Sequence, residues 1–508
     1  MGVVILVLTH LHFTRKDIIF KLKNMNPFFL FKVYDNKIVY DRYSNEFLIV
    51  DDKTVDSLKN NVIDDYNLKN LRNKYHILRN FAFPGFSLSK TESISEKIRN
   101  KVSQDIVQLC FIVTEDCNLR CKYCVYSGLY DNRRGHNSLH RMDINMARKV
   151  IDQFVNNNYS IKTISFYGGE SLMEFGIIQD IVNYAKQKDN SIQFAMNTNL
   201  TLLTPKILSF LITNKITLTI SLDGPSKIHD LYRISKNQKP THHIVENNLN
   251  KIREVDEQYF LHHIIFNIVI VPHPFPIETL DDYFSSELFK DVPLESFIVL
   301  TLNTDKNEFV TKYSYHAFYD NFFTYSRKLF VDKHIQGCTD FSRIKISYNF
   351  HIKKIQRIFY REMDRLDEYS FFWPNAICIL GLRSIFVNSS GVFYPCENLY
   401  DTNQLAIGSV EGGIKTEEII KITNEYISHA NSLCKNCWAL RFCSHCFTSS
   451  FVDNKYSLKY KYEECNSMKG HIKEMFNLFF EIYIKNPKAF DYLSPDVPYE
   501  KYEHMIKD

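Results

Sequence analysis

The chain has 508 residues, 45% of them apolar and 24% charged, with only 15 Gly and 14 Pro. These proportions exclude a disordered, collagen-like or miniature stapled protein and leave room for two or three modules. Lys plus Arg number 62 against 58 Asp plus Glu, and the net charge of +4 provides no surface for non-specific nucleic-acid binding.

The apolar opening, residues 3–8, is too short to span a bilayer and has neither a basic flank nor a small-residue cleavage site, so no signal peptide or membrane anchor is expected. Met25, just ahead of a well-patterned segment, is the expected true start. Residues 28–34, 37–40 and 46–50 read as an antiparallel meander, and helical spacing follows through Val55, Leu58, Val62, Leu68, Leu71 and Leu78. This makes a separate α+β N-terminal module within residues 1–100, closed by a linker at 83–90.

From residue 105 strand-like runs alternate mostly with helix-length segments. The runs are 107–114, 163–167, 192–197, 216–222, 264–271 and 297–302. Six such units predict an α/β fold, a partial (β/α)6 TIM-like barrel over 101–330, with active groups just after the C-terminal ends of its strands. A mainly helical bridge, 331–377, leads to a cysteine-rich domain, 378–470, with few long periodic runs. In the tail, 471–508, Ile472, Met475, Phe476, Phe479 and Tyr483 have the spacing of a docking helix. His242 and His243 are expected on a surface loop.

Twelve cysteines without a secretory signal argue for a reducing, cytoplasmic setting and for metal ligation over disulfides. Cys117-Asn-Leu-Arg-Cys121-Lys-Tyr-Cys124 follows the first barrel strand. Three thiolates on one loop can hold three irons of a four-iron four-sulfur cluster and leave the fourth open; structural zinc normally takes four protein ligands at other spacings. Tyr167-Gly168-Gly169-Glu170 follows the second strand, Asn197-Thr-Asn-Leu200 the third, and Ser221-Leu-Asp223-Gly-Pro225 with His229, Asp230 and Arg233 the fourth. Farther on come Cys378, Cys396, Cys434, Cys437, Cys443, Cys446 and Cys465, whose pair spacing alone would fit a zinc ribbon.

The triad and the ordered segments after it resemble the radical S-adenosylmethionine enzymes, and the seven later cysteines resemble the SPASM domain that carries auxiliary four-iron four-sulfur clusters in them. The resemblance covers residues 105–465. It implies that Cys117, Cys121 and Cys124 hold the radical cluster, whose open iron chelates S-adenosylmethionine. Gly168, Gly169 and Glu170 would lie near the methionyl amino group, Ser221 would contact the cofactor, Arg233 would pair with its carboxylate and Tyr123 would stack on adenine. Cys378, Cys396 and Cys446 would serve a first auxiliary cluster, with Cys338 in reserve as a ligand. Cys434, Cys437, Cys443 and Cys465 would serve a second. Glu397 stands where sulfatase-maturating relatives place a base. Ser171 departs from a common Pro, Leu200 from a Gly, and the spacing between Cys443 and Cys446 is one residue short.

The resemblance further implies cofactor cleavage by one-electron reduction, hydrogen removal from an unactivated carbon and electron acceptance by the auxiliary clusters. A peptide maturase follows, one that installs a thioether or carbon–carbon crosslink in a ribosomally made precursor peptide. Its electron donor would be a flavodoxin or ferredoxin, with no nucleic-acid or membrane partner. Formylglycine generation in a sulfatase is the alternative within the class, and a non-catalytic iron–sulfur or leader-binding partner protein is the alternative outside it.

Overall fold

A computed structural model of the chain describes residues 28–59, 95–96, 98–102, 105–130, 134–155, 159–302, 315–362, 380–399, 405–434, 437–452 and 455–493. The expected start region, the leucines beyond Leu58, the 83–90 linker and Cys378 lie outside them.

Three strands, β1 (Phe28–Val33), β2 (Asn36–Asp41) and β3 (Glu46–Val50), form the expected antiparallel meander, followed by the helix Asp52–Lys59. The meander does not stand apart. Phe31, Val33, Ile38 and Tyr40 share one core with Phe442 and with Phe476 and Phe480 of the long helix Leu458–Lys485, and Phe29 stacks on Trp438 at 4.0 Å between ring centres. Burying so many aromatic faces is what fixes the meander to the C-terminal half of the chain. The turn after β2 penetrates furthest. Arg42 is buried, its carbonyl accepts from Arg441 Nε at 2.8 Å, and the Asn45 carbonyl accepts from Arg361 Nε at 2.9 Å.

The six barrel strands are present as parallel neighbours in the order β10-β9-β8-β7-β6-β4: Phe297–Thr301, Ile264–Ile270, Thr217–Ser221, Gln193–Thr198, Thr163–Gly168 and Gln108–Glu115. A short β5 (Asn137–Arg141) pairs antiparallel with β4. Parallel strands covered on both faces read as continuous apolar runs, whereas β7, β8 and β9 alternate strictly between buried and more accessible residues. Phe194, Met196, Leu218, Ile220, Phe266 and Ile268 pack into the main core. The opposite face carries Ala195, Asn197, Thr217, Thr219, Ser221 and Asn267, all half-buried or exposed. Ile265 and Val269 share this more accessible face with the polar residues.

At the other edge, β11 (Ser384–Val387) adds parallel to β4, and β12 (Val392–Tyr394), β13 (Gly408–Ser409) and β14 (Gly413–Ile414) continue antiparallel. Barrel and cysteine-rich segment thus share one sheet and one core. Two further expectations change. The cysteine-rich segment contains a 19-residue helix, Thr416–Cys434, and the terminal helix begins at Leu458, so a boundary at 470 would cut it. Its buried face includes Ile472, Met475, Phe476 and Phe479, while Tyr483 is exposed. His242 opens the helix His242–Val255 and is buried against the Tyr283 hydroxyl at 2.9 Å; His243 is exposed.

Candidate functional site

The C-terminal ends of β4, β6, β7 and β8 bring the first group of motifs together. The loop carrying Cys117, Cys121 and Cys124 is stitched to the end of the helix Ser226–Tyr232 and the segment after it by three backbone bonds, Arg120 N to Ile234 O at 2.7 Å, Lys122 N to Tyr232 O at 2.9 Å and Lys236 N to Asn118 O at 3.2 Å. Asp116 anchors its start, accepting from the Cys117 amide at 2.8 Å and from Lys236 Nζ at 2.9 and 2.8 Å. Burial works against the Asp116 charge, but the hydrogen bonds from Lys236 and the Cys117 amide outweigh it and hold the carboxyl below its ordinary value. All three thiols are raised by burial, Cys117 to about 12 and Cys121 to about 11.

Gly169 permits a close backbone approach. A Cβ there would lie 1.9 Å from the Asp116 carbonyl oxygen, because the Gly169 and Glu170 amides donate to Thr114 O and Asp116 O, both at 2.9 Å. Its missing side chain lets β6 close on the cysteine loop. Glu170, 1% exposed, accepts from Leu172 N at 3.0 Å, Thr198 Oγ1 at 2.7 Å and Asn199 N at 2.6 Å, tying the end of β6 to that of β7. Burial raises its carboxyl and these bonds oppose the shift. Asn199 in turn donates to Asn118 Oδ1 at 2.9 Å and approaches Cys117 Sγ at 3.8 Å.

Leu200, in the position of a glycine, takes a left-handed φ of 60° with its side chain fully buried. Asn248 Nδ2 secures its carbonyl at 2.9 Å. Ser171, in the position of a proline, is buried with no partner for its hydroxyl among the described residues.

Tyr123 is buried, its hydroxyl donating to the Asp223 carboxylate and accepting from Arg233 Nη1 at 2.7 Å. Burial opposes the Arg233 charge, but Cys121, Tyr123 and Asp223 more than compensate and keep the guanidinium charged. Arg233 is 8% exposed and its Nε has no partner among the described residues. This donor, beside three thiols and at the end of a parallel sheet, fits a carboxylate-bearing cofactor next to a thiolate-ligated iron group. Ser221 ends β8 on the open face.

The second group lies on the C-terminal side. Cys434 ends its helix, and Cys434, Cys437, Cys443 and Cys465 line one cavity. Among the described residues no three His, Cys, Asp or Glu side chains stand close enough to grip a single ion, so these thiols share a wall without the tight approach of a mononuclear site. A donor set of four thiols around a cavity fits an iron–sulfur group. Cys396 and Cys446 both pack against the main core. Glu397 acts electrostatically on Cys110, whose thiol is pushed up to about 12 chiefly by burial, and on Tyr167. Glu397 opens the short turn Glu397–Leu399 directly after Cys396.

Cys338 stands elsewhere. Asn486 Nδ2 donates to the nearby His334 carbonyl at 3.0 Å, placing Cys338 past the far end of the terminal helix. Cys465 lies about 20 residues back along that helix, roughly 30 Å at 1.5 Å per residue.

Several participants were passed over in the sequence. Asp116 and Lys236 pair across 120 positions, which leaves no local signal. His273, two residues beyond Val271 after β9, is buried, and its Nε2 has no partner among the described residues; its position after a strand was the available clue.

Comparison with known proteins agrees with this geometry. The family model described as "Radical SAM superfamily" matches residues 111–282. A cysteine-type anaerobic sulfatase-maturating enzyme of Clostridium novyi is 25% identical over 335 residues, 64% of this chain and 83% of that protein. The radical SAM cyclopropyl synthase TigE of Paramaledivibacter caminithermalis is 27% identical over 172 residues, 30% of this chain; the match spans 36% of TigE. The solved structure of native anSMEcpe with bound AdoMet shares the fold with a TM-score of 0.52 at 20% identity, covering 76% of this chain and 99% of that one, and the same protein is also solved with the Cp18Cys peptide.

Proposed function

Residues 111–282 belong to the radical SAM superfamily, so the chain is an enzyme of radical chemistry, and from that premise we propose that it matures a peptide, removing hydrogen from one of its carbons and oxidatively installing a thioether or carbon–carbon crosslink. The observation that supports this most is the open inner face of the sheet. Its accessible polar residues run up to the strand ends where the cysteine loop, Gly168 to Glu170 and Ser221 stand, which suits a side chain entering the barrel.

When bound, S-adenosylmethionine and a four-iron four-sulfur group supply abstraction of hydrogen from an unactivated carbon. Cys117, Cys121 and Cys124 would hold the iron and leave one position open. Arg233 would offer its free Nε to the cofactor carboxylate, and Tyr123, fixed by Asp223, would orient that guanidinium. The backbone at Gly168 and Gly169 and the Ser221 hydroxyl would line the cofactor's remaining edge. Glu397 would take the proton that a substrate loses on oxidation. Cys434, Cys437, Cys443 and Cys465 would hold one auxiliary group, and Cys378, Cys396 and Cys446 another, to receive the second electron; a flavodoxin or ferredoxin would supply the first.

Two features favour a peptide with a leader. The anSMEcpe chain is covered almost completely, while about a quarter of this chain lies outside the match. The meander also presents β3 as an edge strand, with Ile49 59% exposed, where an extended segment could add by strand pairing.

A second reading, oxidation of a sulfatase Cys or Ser to formylglycine, is favoured by the likeness to the Clostridium novyi enzyme over 64% of this chain. One experiment separates the readings. Anaerobically loaded protein, reductant and S-adenosylmethionine are incubated with a short peptide encoded beside the gene and, separately, with a sulfatase peptide; deoxyadenosine and peptide mass are followed. Loss of a hydrogen pair from the neighbouring peptide, with a new internal bond in its fragmentation, supports the crosslink. Turnover of only the sulfatase peptide supports formylglycine. Deoxyadenosine release that survives replacement of Cys117, Cys121 and Cys124 by Ala would sink both.

A further inference from the structure

Lys461 lies one helical turn before Cys465 on the terminal helix, on the same face, and its side chain is 1% exposed. Its Nζ donates to the Tyr426 hydroxyl at 3.1 Å and sits 4.8 Å from the centre of that ring. Among the described residues no other hydrogen-bond partner and no carboxylate meets it. A buried ammonium without an anion is costly, and folded proteins normally pair it or surround it with acceptors. Lys345, equally buried, shows the second solution in the same chain: its Nζ donates to the carbonyl oxygens of Phe289, Lys290 and Val292.

Lys461 has no such cage. It forms part of the cavity wall with Cys434, Cys437, Cys443, Cys465 and Lys469, and among the described residues no acidic side chain lines that cavity. Its charge is felt by Cys434, Cys443 and Cys465 alike, and Arg357 adds to it at Cys443. Arg42, brought in by the N-terminal turn, donates to the Cys437 carbonyl at 3.3 Å. Cations thus approach the four thiols from three parts of the chain.

We propose that Lys461 is a positioning residue, the built-in counter-charge of an anionic iron–sulfur group at the four-cysteine site, and that it sets that group's reduction potential. The inference rests on the reading that these cysteines hold such a group. A group bound by four thiolates gains one more negative charge on reduction, so a nearby fixed cation in a water-poor site favours the reduced form.

The test uses the full chain with Cys117, Cys121 and Cys124 replaced by Ala. Iron and sulfide content and the midpoint of a redox titration followed by electron paramagnetic resonance are compared for Lys461, Lys461→Met and Lys461→Arg. The signal of this site is identified by its loss in Cys434→Ser/Cys437→Ser. Lys461→Met should keep its iron, while its reduced-to-oxidised ratio at fixed potential falls at least tenfold, about 59 mV for a one-electron couple; Lys461→Arg should restore most of the ratio. Iron lost from the Met chain but kept by the Arg chain, with unchanged circular dichroism, also supports the counter-charge. Full iron with an unmoved midpoint in Lys461→Met, or iron lost from both variants, overturns it. If Cys434→Ser/Cys437→Ser holds as much iron as its parent, no cluster sits there and the site reading itself falls.

Discussion

The loop of Cys117, Cys121 and Cys124 and the cavity of Cys434, Cys437, Cys443 and Cys465 present thiols in opposite ways. At the first, protein groups balance one another: Lys236 neutralises Asp116, Asn199 and Thr198 satisfy Glu170, and Asp223 with Tyr123 meets Arg233. At the second, a buried ammonium is left without an anion among the described residues. The difference teaches that the barrel mouth is organised before anything binds, whereas the C-terminal site, on the reading proposed above, would gain its electrostatic balance from the group it holds. A preformed site can discriminate and release a consumable cofactor; a site completed by its ligand suits a group that stays.

The contrast can be broken most directly by removing metal. Chelation under anaerobic conditions should strongly accelerate amide exchange over residues 437–470 and leave β6 to β9 protected. Equal protection of both regions with and without metal would erase the distinction. Next in size is Glu170→Ala, which strips three donors of their buried acceptor and should cost about 3 kcal/mol in urea unfolding; Glu170→Gln, which keeps part of the set, should cost less. A loss well under 1 kcal/mol would show that the mouth is not held by this network.

Asp281 calibrates the scale from outside both regions. Burial raises its carboxyl to about 6 despite bonds from Ile346 N, Ser347 N and Ser347 Oγ. Because the folded value lies above the free value of 3.8, ionisation is penalised in the folded state: its contribution is most favourable below about pH 4 and is lost as pH rises through 6. Asp281→Asn, whose Oδ1 can still accept from Ile346 N and Ser347 N, should flatten the fall in stability between pH 4 and 7 by about 2 kcal/mol. An unchanged slope would reject the assignment.

Leu200 gives the smallest effect. Left-handed backbone costs a leucine about 1 kcal/mol, while burying its side chain contributes about 2 kcal/mol. Leu200→Gly should therefore be destabilising, yet less so than Leu200→Ala, which keeps the strain and loses the packing. The reverse order would mean that the backbone there is unstrained.

What was legible in the sequence follows from range. The six parallel strands and the motifs after them announce themselves because a strand's alternation and a turn's composition are local. The helix Thr416–Cys434 was also legible, in the spacing of Ile419, Ile422, Tyr426, Ala430 and Leu433, but the surrounding cysteines argued for irregular chain. Three features had no local signal. The pairing of β11 with β4 joins residues more than two hundred positions apart. The docking of the meander depends on aromatic faces that each look like ordinary core. The isolation of Lys461 is a property of what does not surround it, and a sequence cannot display that.

The strand shared between the two halves has a practical consequence for anyone wishing to produce them separately. A chain stopped ahead of Ser384 would leave the backbone of β4 from Gln108 to Phe111 unpaired on one side, and apolar residues such as Leu109 and Phe111 would lose their neighbours Ile385 and Val387. Such a fragment should stick to itself through that raw edge. Cutting in the meander would expose the aromatic surface of the terminal helix instead. Only the intact polypeptide seals both.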